Sequence, residues 1–249
     1  MLLKKRIKNY KNLRKYGLSP KDALLVILKS ARMVTAPFDT GGRSIITNWR
    51  DARGLYDHEP KTRKWLEGKK GVFYDIGAHI GKFAFMAEKQ GLKVYAFEPH
   101  FENFRTLCHN VMLNESDVTP FPLAILGKTC IKNFSLSSIY SGSANHGNKP
   151  ESNRAIDLVA FSIDDLENIL KLPPPEYLKI DVDGAETEII TNSSLHSVKE
   201  ILVEIGSKTA EELIHKNLSV NFQLFDTDEL IGVGERGEQY PRNEFWKRK

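Results

Sequence analysis

The stretch GVFYDIGAHIGKFAFMAEKQGLKVYAFEP, residues 71–99, decides the fold of this chain. It opens with an apolar run that ends on Asp75, followed by a turn punctuated by Gly77 and Gly81 and by an apolar segment of helical periodicity. A second β-type run then ends on Glu98. This order of strand, glycine turn, helix, strand and acid predicts a βαβ unit that holds a nucleotide-like ligand.

The residue types of this unit suit a ligand that carries a ribose. Gly77 and Gly81 lack a Cβ, so the backbone can turn sharply there and a ligand can come close. The helix that follows offers unpaired N–H groups and the positive end of its dipole. Glu98 stands 21 positions after Gly77, near the spacing of about 20 for an acid that binds ribose hydroxyls.

Two positions near the turn argue against a dinucleotide. The dinucleotide fingerprint has a glycine in its middle position, which makes room for a pyrophosphate, whereas this chain has His79 there. Asp75 would repel a phosphate and attract an ammonium group. S-adenosylmethionine, with a ribose at one end and a cationic amino acid at the other, therefore fits better. An ordinary tight turn is the plainer alternative, and the acids at the two strand ends weigh against it.

Length and composition predict one α/β domain with an N-terminal extension. The chain has 249 residues, 41% of them hydrophobic, and a mild formal charge of +4. Its first sixteen residues carry basic side chains and no acid, which favours a solvated arm over a nucleic-acid or membrane surface. No apolar run approaches the length of a membrane span, and Cys108 and Cys130 lack metal or redox spacing. We therefore expect a cytoplasmic protein with free thiols.

Periodicity and turn signals place the other elements. An amphipathic helix is expected over 20–33, and residues 1–55 form a basic, helical extension to a ligand-binding domain over 56–249. Further predictions are helices over 61–66, 100–113, 162–170 and 208–216 and strands over 44–49, 118–126, 131–135, 156–161, 177–180, 199–205, 222–225 and 245–246. Ala124 falls at the end of one strand, where the base of a ligand rests against small side chains. The polar loop over 141–154 is either a disordered insertion or a lid over the substrate.

An acidic cluster follows the predicted strand at 177–180. Asp181, Asp183 and Glu186 come at its carboxyl end, where open α/β sheets bind their ligands. Asp183 or Glu186 would suit the first turn of the next helix. The three carboxylates are also candidate ligands for a divalent cation, and Asp181 is a candidate general base. We expect Asp181 to be functional and leave the cation open.

Six motifs together resemble one known family. They are FYDIGAHIG (73–81), VYAFEPHFENF (94–104), LAILG (123–127), SGS (141–143), YLKIDVDGAE (177–186) and ILVEI (201–205). In order and spacing they resemble the FkbM-type family of S-adenosylmethionine-dependent methyltransferases, over about residues 56–205. The resemblance implies a Rossmann-like class I methyltransferase fold, with a seven-stranded, mostly parallel sheet, helices on both faces and an antiparallel last strand. It also implies O-methyl transfer, in this family often to hydroxyls of sugars or polyketide-type metabolites.

The resemblance assigns roles to the matching positions. It implies that the cofactor binds Asp75, Gly77, Gly81, the ribose acid Glu98, the adenine-side Ala124 and, beside the methyl group, Asp181. His79 stands where the family usually has asparagine, and its imidazole can still donate a hydrogen bond to the carboxylate end of the cofactor.

The expected mechanism is an in-line displacement in which an acceptor oxygen attacks the methyl group. The protein positions the two reactants, and a base removes the hydroxyl proton. Asp181 is the first candidate for that base and Glu204 the second. The candidates for acceptor binding are Ser141, Ser143, His146, Asp183 and Glu186.

Three other functions compete with this interpretation. A nucleotide-sugar or NAD-dependent oxidoreductase would need a glycine where His79 stands. A non-catalytic binding module that used the basic N-terminal arm would not need the acidic cluster. An RNA methyltransferase would carry a basic and aromatic stripe along its core, which this sequence lacks. The expected partner is a small-molecule or glycan acceptor, and the sequence leaves the oligomeric state, a homodimer included, open.

Overall fold

The computed structural model describes seven segments of the chain. They are residues 19–21, 33–37, 44–48, 59–136, 144–145, 155–229 and 241–249. Of the helix predicted over 20–33, Pro20 and Lys21 are helical, Met33 is instead the first residue of a strand, and residues 22–32 lie outside the described residues. No helix among these segments is long and apolar enough to cross a membrane.

The elements alternate along most of the chain. The strands are β1 (Met33–Pro37), β2 (Ser44–Asn48), β3 (Gly71–Ile76), β4 (Leu92–Phe97), β5 (Thr119–Phe121), β6 (Ala124–Ile125), β7 (Cys130–Leu136), β8 (Ala144–Asn145), β9 (Ala155–Phe161), β10 (Tyr177–Ile180), β11 (Glu200–Ile205), β12 (Phe222–Glu229) and β13 (Arg242–Arg248). The helices are α1 (Pro60–Leu66), α2 (Lys82–Lys89), α3 (Phe101–Leu113), α4 (Ile163–Asn168), α5 (Glu186–Asn192) and α6 (Lys208–Leu218).

A seven-stranded sheet is the centre of the described fold. Its strand order is β12-β13-β11-β10-β3-β4-β5. Strands β11, β10, β3, β4 and β5 run parallel to one another, whereas β13 is antiparallel to both of its neighbours. The predicted sheet, mostly parallel with an antiparallel last strand, is confirmed. The chain order reverses between β3 and β10, which makes their carboxyl ends the place where such sheets bind ligands.

Helices cover both faces of this sheet, as predicted. Successive side chains of a strand point to opposite faces, so Phe73 and Tyr74 lie in two different hydrophobic clusters. The Phe73 cluster includes side chains of α1, α2 and α3, and the Tyr74 cluster includes side chains of α4, α5 and α6. The two layers of helices bury the sheet and fix the direction in which each strand end points.

A second, four-stranded sheet corrects the prediction of a single strand over 118–126. That segment divides into β5, at the edge of the central sheet, and β6, which pairs with β9 in the second sheet. Pro122 lies between them and has no N–H to continue a ladder. The strands predicted at 131–135 and 156–161 are confirmed as β7 and β9. The candidate acceptor residues Ser141, Ser143 and His146 lie outside the described residues.

Strands β1 and β2 form a small antiparallel sheet, here called the N-terminal ribbon. Ile45 of β2 is fully buried and belongs to the same hydrophobic cluster as Phe73 and Ile80. The ribbon is therefore packed on the same face of the central sheet as α2 and α3.

Candidate active site

The turn after β3 has a left-handed backbone at three positions. The φ angles are 80° at Gly77, 53° at His79 and 94° at Gly81. A Cβ on Gly77 would lie 1.7 Å from the carbonyl oxygen of Asp181, and one on Gly81 would lie 2.6 Å from a side-chain atom of Leu107. Both glycines are thus required by the protein's own packing as well as by the sharpness of the turn. His79 accepts the same conformation at the cost of some backbone strain.

Glu98 and the carbonyl of Phe97 hold this turn, since the carbonyl accepts the N–H groups of Gly77 and Ala78. The Oε2 of Glu98 accepts the backbone N–H of His79 at 2.8 Å, and its Oε1 accepts the N–H of His100 at 2.8 Å and a longer bond of 3.4 Å from Asn103. Burial raises the pKa of Glu98 to about 7, although the N–H groups of His100 and His79 act to lower it. Oε2 keeps an acceptor position for a ligand hydroxyl, because a carboxylate oxygen can accept two hydrogen bonds.

Asp75 is a buried carboxylate that makes no hydrogen bond of normal geometry with the described residues, although the backbone N–H of Ala84 is close enough to act to lower its pKa. It is 1% exposed, neither of its oxygens has a hydrogen-bond partner, and the Nζ of Lys179 lies 3.8 Å from Oδ1. Burial raises the pKa of Asp75 to about 6, against the lowering effect of Lys179. A buried carboxylate in this state is costly. A cationic amino group is the kind of donor that would satisfy it, which fits the role predicted for Asp75.

Lys179 is a site residue to which sequence reasoning gave no role. Its side chain is 2% exposed, and its Nζ donates to Oδ2 of Asp181 at 2.7 Å. Burial acts to lower the pKa of Lys179, but the carboxylates of Asp181 and Asp75 outweigh that effect and raise it. Lys179 therefore remains a cation that orients Asp181. The signal was present in the sequence, because residues two apart on a strand point to the same face.

The loop that carries Asp181 continues the pairing of β10 with β3. The N–H of Asp181 donates to the carbonyl of Ile76 at 3.0 Å, which brings Asp181 against Gly77. Further on, Glu186 is 5% exposed and accepts hydrogen bonds from the N–H groups of Val182 and Gly184. Burial raises the pKa of Glu186. Glu186 is also the first residue of α5, so it has the helix-start role that the sequence left as one alternative.

Glu204 lies beside Asp181 at the same edge of the sheet. Ile180 pairs with Val203 in the ladder between β10 and β11. The residues that follow these two in the chain, Asp181 and Glu204, are therefore neighbours. On its other side Glu204 pairs with Asn243 of β13. Burial, followed by the charge of Asp181, raises the pKa of Glu204 to about 8, although Lys179 acts to lower it. A carboxyl group of this kind can accept a proton near neutral pH.

A divalent cation at Asp181, Asp183 and Glu186 is not supported. Among the described residues, a group with the spacing of metal ligands is instead formed by Glu211, His215 and Glu244. Arg242 contacts two members of this group, Glu211 at 2.6 Å and Glu244 at 2.8 Å. The guanidinium of Arg242 thus supplies the positive charge that a metal ion would otherwise bring to this group.

The segment that carries Ala124 leaves the central sheet next to Glu98. The N–H of Glu98 donates to the carbonyl of Phe121 at 3.1 Å. Ala124 follows in β6, where it is 3% exposed and pairs with Ala160. The structure therefore brings the segment predicted for the adenine side to the predicted ribose acid.

Known proteins that this chain resembles include the following three. Hexuronic acid methyltransferase AglP from Haloferax volcanii is 27% identical over 203 residues, which are 78% of this chain and 83% of that protein. The crystal structure of P. horikoshii TYW2 in complex with MeSAdo has a TM-score of 0.50 at 10% identity and covers 87% of this chain and 71% of its own. M. jannaschii TYW2 in complex with AdoMet has a TM-score of 0.46 at 13% identity and covers 88% of each chain. At these identities, P. horikoshii TYW2 shows a shared fold alone.

A family model identifies the chain itself. The model of the methyltransferase FkbM domain matches residues 75–230, which is well over half of the sequence. The match includes the glycine turn after β3, Glu98, Asp181 and Glu204. The resemblance inferred from the six sequence motifs is thereby confirmed, and the chain belongs to the methyltransferase FkbM domain family.

Proposed function

We propose that this protein transfers the methyl group of S-adenosylmethionine to a hydroxyl group of a sugar or glycan, with a hexuronic acid as the first acceptor to test. The observation that carries the cofactor assignment is the turn after β3, which Glu98 holds in place beside the buried carboxylate of Asp75. Membership in a methyltransferase family supports the reaction class. The likeness to a hexuronic acid methyltransferase supports the acceptor class.

The residues around the turn fit the chemical groups of this cofactor. Asp75 binds the amino group, since its oxygens lack hydrogen bonds from the described residues. Glu98 accepts a hydrogen bond from a ribose hydroxyl through Oε2, and His79 offers its imidazole to the carboxylate end. When bound, S-adenosylmethionine supplies a methyl group that is already activated by a positively charged sulfur. The protein's remaining tasks are to position the acceptor, exclude water and receive a proton.

We place Glu204 ahead of Asp181 as the base that receives the proton. The Oδ2 of Asp181 is bound to the ammonium of Lys179 at 2.7 Å, and this ion pair makes Asp181 better suited to orienting an acceptor hydroxyl. The pKa of Glu204 is raised to about 8, by burial first and then by Asp181, and a base is most effective when its pKa is near the working pH. The two carboxylates thus divide orientation and proton transfer between them.

The same edge of the sheet offers acceptors for sugar hydroxyls and one cation for the acid group of a uronic acid. Carboxylates at Asp181, Asp183 and Glu204 accept hydrogen bonds from sugar hydroxyls. Lys82, the first residue of α2, interacts electrostatically with Glu59 and more weakly with Asp181. Burial lowers the pKa of Lys82 to about 8, so it is still mostly cationic at pH 7 and can attract the carboxylate of a uronic acid. Ser141, Ser143 and His146 remain proposed contacts to the acceptor.

Calorimetric titration of S-adenosylhomocysteine tests the cofactor assignment. We expect micromolar binding by the wild-type protein and a loss of at least about tenfold in Glu98→Ala, because both the turn and the ribose contact depend on this carboxylate. Glu102→Ala is the matched control, since Glu102 lies on the surface of α3 and forms an ion pair with Arg105. Absence of binding by the wild-type protein would contradict the proposal.

A second experiment tests the acceptor class. Methyl transfer is measured by mass spectrometry with glucuronic acid glycosides and with the matching glucose glycosides, which lack the acid group. We expect a methylated product with the uronic acid and a lower rate with the neutral sugar. Equal rates with both would remove the acid group from the proposal, and no product with either would remove sugars as the acceptor class.

A further inference from the structure

The side chain of Asn110 joins three segments that are far apart in the sequence. Asn110 lies on α3 and is fully buried. Its Oδ1 accepts the backbone N–H of Ile46 at 2.7 Å, and its Nδ2 donates to the carbonyl of Ile46 at 3.1 Å and to that of Ile80 at 3.0 Å. Both N–H donors of the amide are therefore in use. A single side chain thus binds the N-terminal ribbon and the cofactor turn at once.

The contact on the ribbon imitates the pairing of two strands. Ile46 lies in β2, opposite Thr35 of β1, and it exchanges one accepted and one donated hydrogen bond with the Asn110 amide. Its neighbour Ile45 is fully buried in a cluster that also contains Ile80 and Leu107. The ribbon is thus attached to α3 by hydrogen bonds between the Ile46 backbone and the Asn110 side chain, and by the packing of the buried Ile45 side chain.

The contact on the turn completes a clamp on two consecutive residues. Glu98 binds the N–H of His79, and Asn110 binds the carbonyl of Ile80. The two clamping residues belong to one continuous segment, from the end of β4 into α3. If the Asn110 amide were removed, the carbonyl of Ile80 and the N–H of Ile46 would each lose a buried partner. The hydrogen-bonded link between the turn and the ribbon would then be lost, and only the packing of Ile45 and Ile80 in one cluster would remain.

We propose that Asn110 is a positioning residue for the cofactor, through which the N-terminal ribbon forms part of the cofactor site. This inference rests on the proposed function, because it requires that the turn bind S-adenosylmethionine. A ribbon in its docked position holds the turn in the binding conformation. By the reciprocity of coupled equilibria, bound cofactor then holds the ribbon in its docked position.

Hydrogen exchange of the wild-type protein is the first arm of the test. Exchange is measured by mass spectrometry on the full chain with and without S-adenosylhomocysteine. We expect the ligand to slow exchange in residues 44–48, which lie outside the turn itself, because the Ile46 N–H is bound by Asn110. This arm needs no variant, so it decides the question even if a substitution prevents folding.

The second arm compares Asn110→Ala with Asn217→Ala. Asn217 also joins two elements, since its Nδ2 donates to Thr191 of α5 and to Leu213 of its own helix, at an exposed place away from the ribbon and the turn. We expect Asn110→Ala to weaken binding of S-adenosylhomocysteine about tenfold and to abolish the slowing of exchange in residues 44–48. The rate at saturating cofactor should change less than about threefold. Asn217→Ala should leave all three measurements unchanged.

The outcomes separate this inference from the proposed function. If the wild-type protein does not bind S-adenosylhomocysteine, both are overturned. If it binds but exchange in residues 44–48 does not respond, only the role of Asn110 and the ribbon is overturned. Unchanged affinity in a folded Asn110→Ala variant, with a loss of stability alone, would also overturn it and would leave Asn110 as a packing residue.

Discussion

The loops that follow β3 and β10 are neighbours at the carboxyl edge of the sheet, but the acids that bind their backbone N–H groups come from different places. The turn after β3 depends on an acid from another strand, because Glu98 accepts the N–H of His79. The loop after β10 contains its own acceptor, because Glu186 binds the N–H groups of Val182 and Gly184. The acid that binds the first loop therefore comes from another segment of the chain, and the acid that binds the second follows directly in the same segment.

This difference also extends to the acids at the two strand ends. Asp75, before the first loop, has no hydrogen bond from the described residues, whereas Asp181, before the second, is bound by Lys179 at 2.7 Å. A buried group with unused hydrogen-bonding capacity is expected where a ligand will supply the partner. We therefore propose that the cofactor completes the first loop and that the second loop presents a carboxylate that is already oriented.

The largest expected effect is that of Gly77→Ala, which breaks the contact between the two loops. The new Cβ would lie 1.7 Å from the carbonyl oxygen of Asp181, at a φ of 80°. Since backbone cannot yield as a flexible side chain does, we expect affinity for S-adenosylhomocysteine to fall by more than about 100-fold. The measurement is calorimetric titration of the folded variant.

Gly184→Ala is the matched control from the second loop. Gly184 also has a positive φ, of 120°, but among the described residues no atom beyond its two chain neighbours lies within 4 Å of an added Cβ. We expect backbone strain to cost about 1–3 kcal/mol of stability while affinity for S-adenosylhomocysteine stays near that of the wild-type protein. Equal losses of affinity in both variants would show that strain, rather than the contact between the loops, is responsible.

The next effect is the pH dependence of the free energy of unfolding that comes from Glu98, the acid that binds the first loop. Burial raises the pKa of Glu98 from 4.5 to about 7, so between these values the folded state binds more protons than the unfolded state. The free energy of unfolding therefore falls as pH rises through this window, by on the order of 3 kcal/mol from this group. Glu98→Gln should remove that part of the slope. Denaturant unfolding of the ligand-free protein at a series of pH values measures it.

Two further observations sharpen this prediction. Glu102→Gln, on the surface of α3, should keep the slope of the wild-type protein. Saturating S-adenosylhomocysteine should reduce the loss of stability at high pH, because the ribose hydroxyl adds a donor to the ionised form of Glu98. Parallel pH dependences for the wild-type protein and Glu98→Gln would refute the assigned cost.

A somewhat smaller effect is expected at Glu204, the proposed base beside the second loop. Glu204→Gln removes a proton acceptor whose pKa is raised to about 8, and we expect the turnover rate to fall by about 100-fold. Affinity for S-adenosylhomocysteine should change little. Because the base acts in its deprotonated form, the rate of the wild-type enzyme should rise with pH through about 8.

The comparison with Asp181→Asn identifies the base. If Glu204 accepts the proton, Asp181→Asn keeps the rise in rate with pH and loses part of the orientation of the acceptor. If the rise disappears in Asp181→Asn and persists in Glu204→Gln, the order of the two candidates is reversed.

The sequence predicts the parts of this site that follow from local order. Apolar runs, the glycine turn and the spacing to Glu98 identify the βαβ unit, because strand and helix periods are properties of neighbouring residues. The contact between Lys179 and Asp181 could also have been predicted, because side chains two residues apart in extended chain point to the same side. The division of the segment at 118–126 was missed because it depends on which sheet β6 joins, although Pro122 marks the break.

Contacts between distant segments were beyond sequence reasoning for a physical reason. The bonds of Asn110 to Ile46 and Ile80 span 64 and 30 positions, and they depend on how α3 and the ribbon pack. The protonation of Glu204 likewise depends on its register beside Asp181, which only the order of the strands determines. Burial and charge at such places are properties of the assembled sheet.

The smallest expected effect is that of removing divalent cations, and it separates the second loop from a metal site. The Oδ2 of Asp181 is held by an ammonium group at 2.7 Å, and both oxygens of Glu186 accept backbone N–H groups. A cation would have to displace these partners, and hard cations need several oxygen ligands at once. We expect EDTA to leave methyl transfer unchanged and magnesium or manganese to leave the affinity for S-adenosylhomocysteine unchanged. A loss of activity in EDTA that magnesium restores would show that the loop opens to bind a metal, and the contrast between the two loops would then fail.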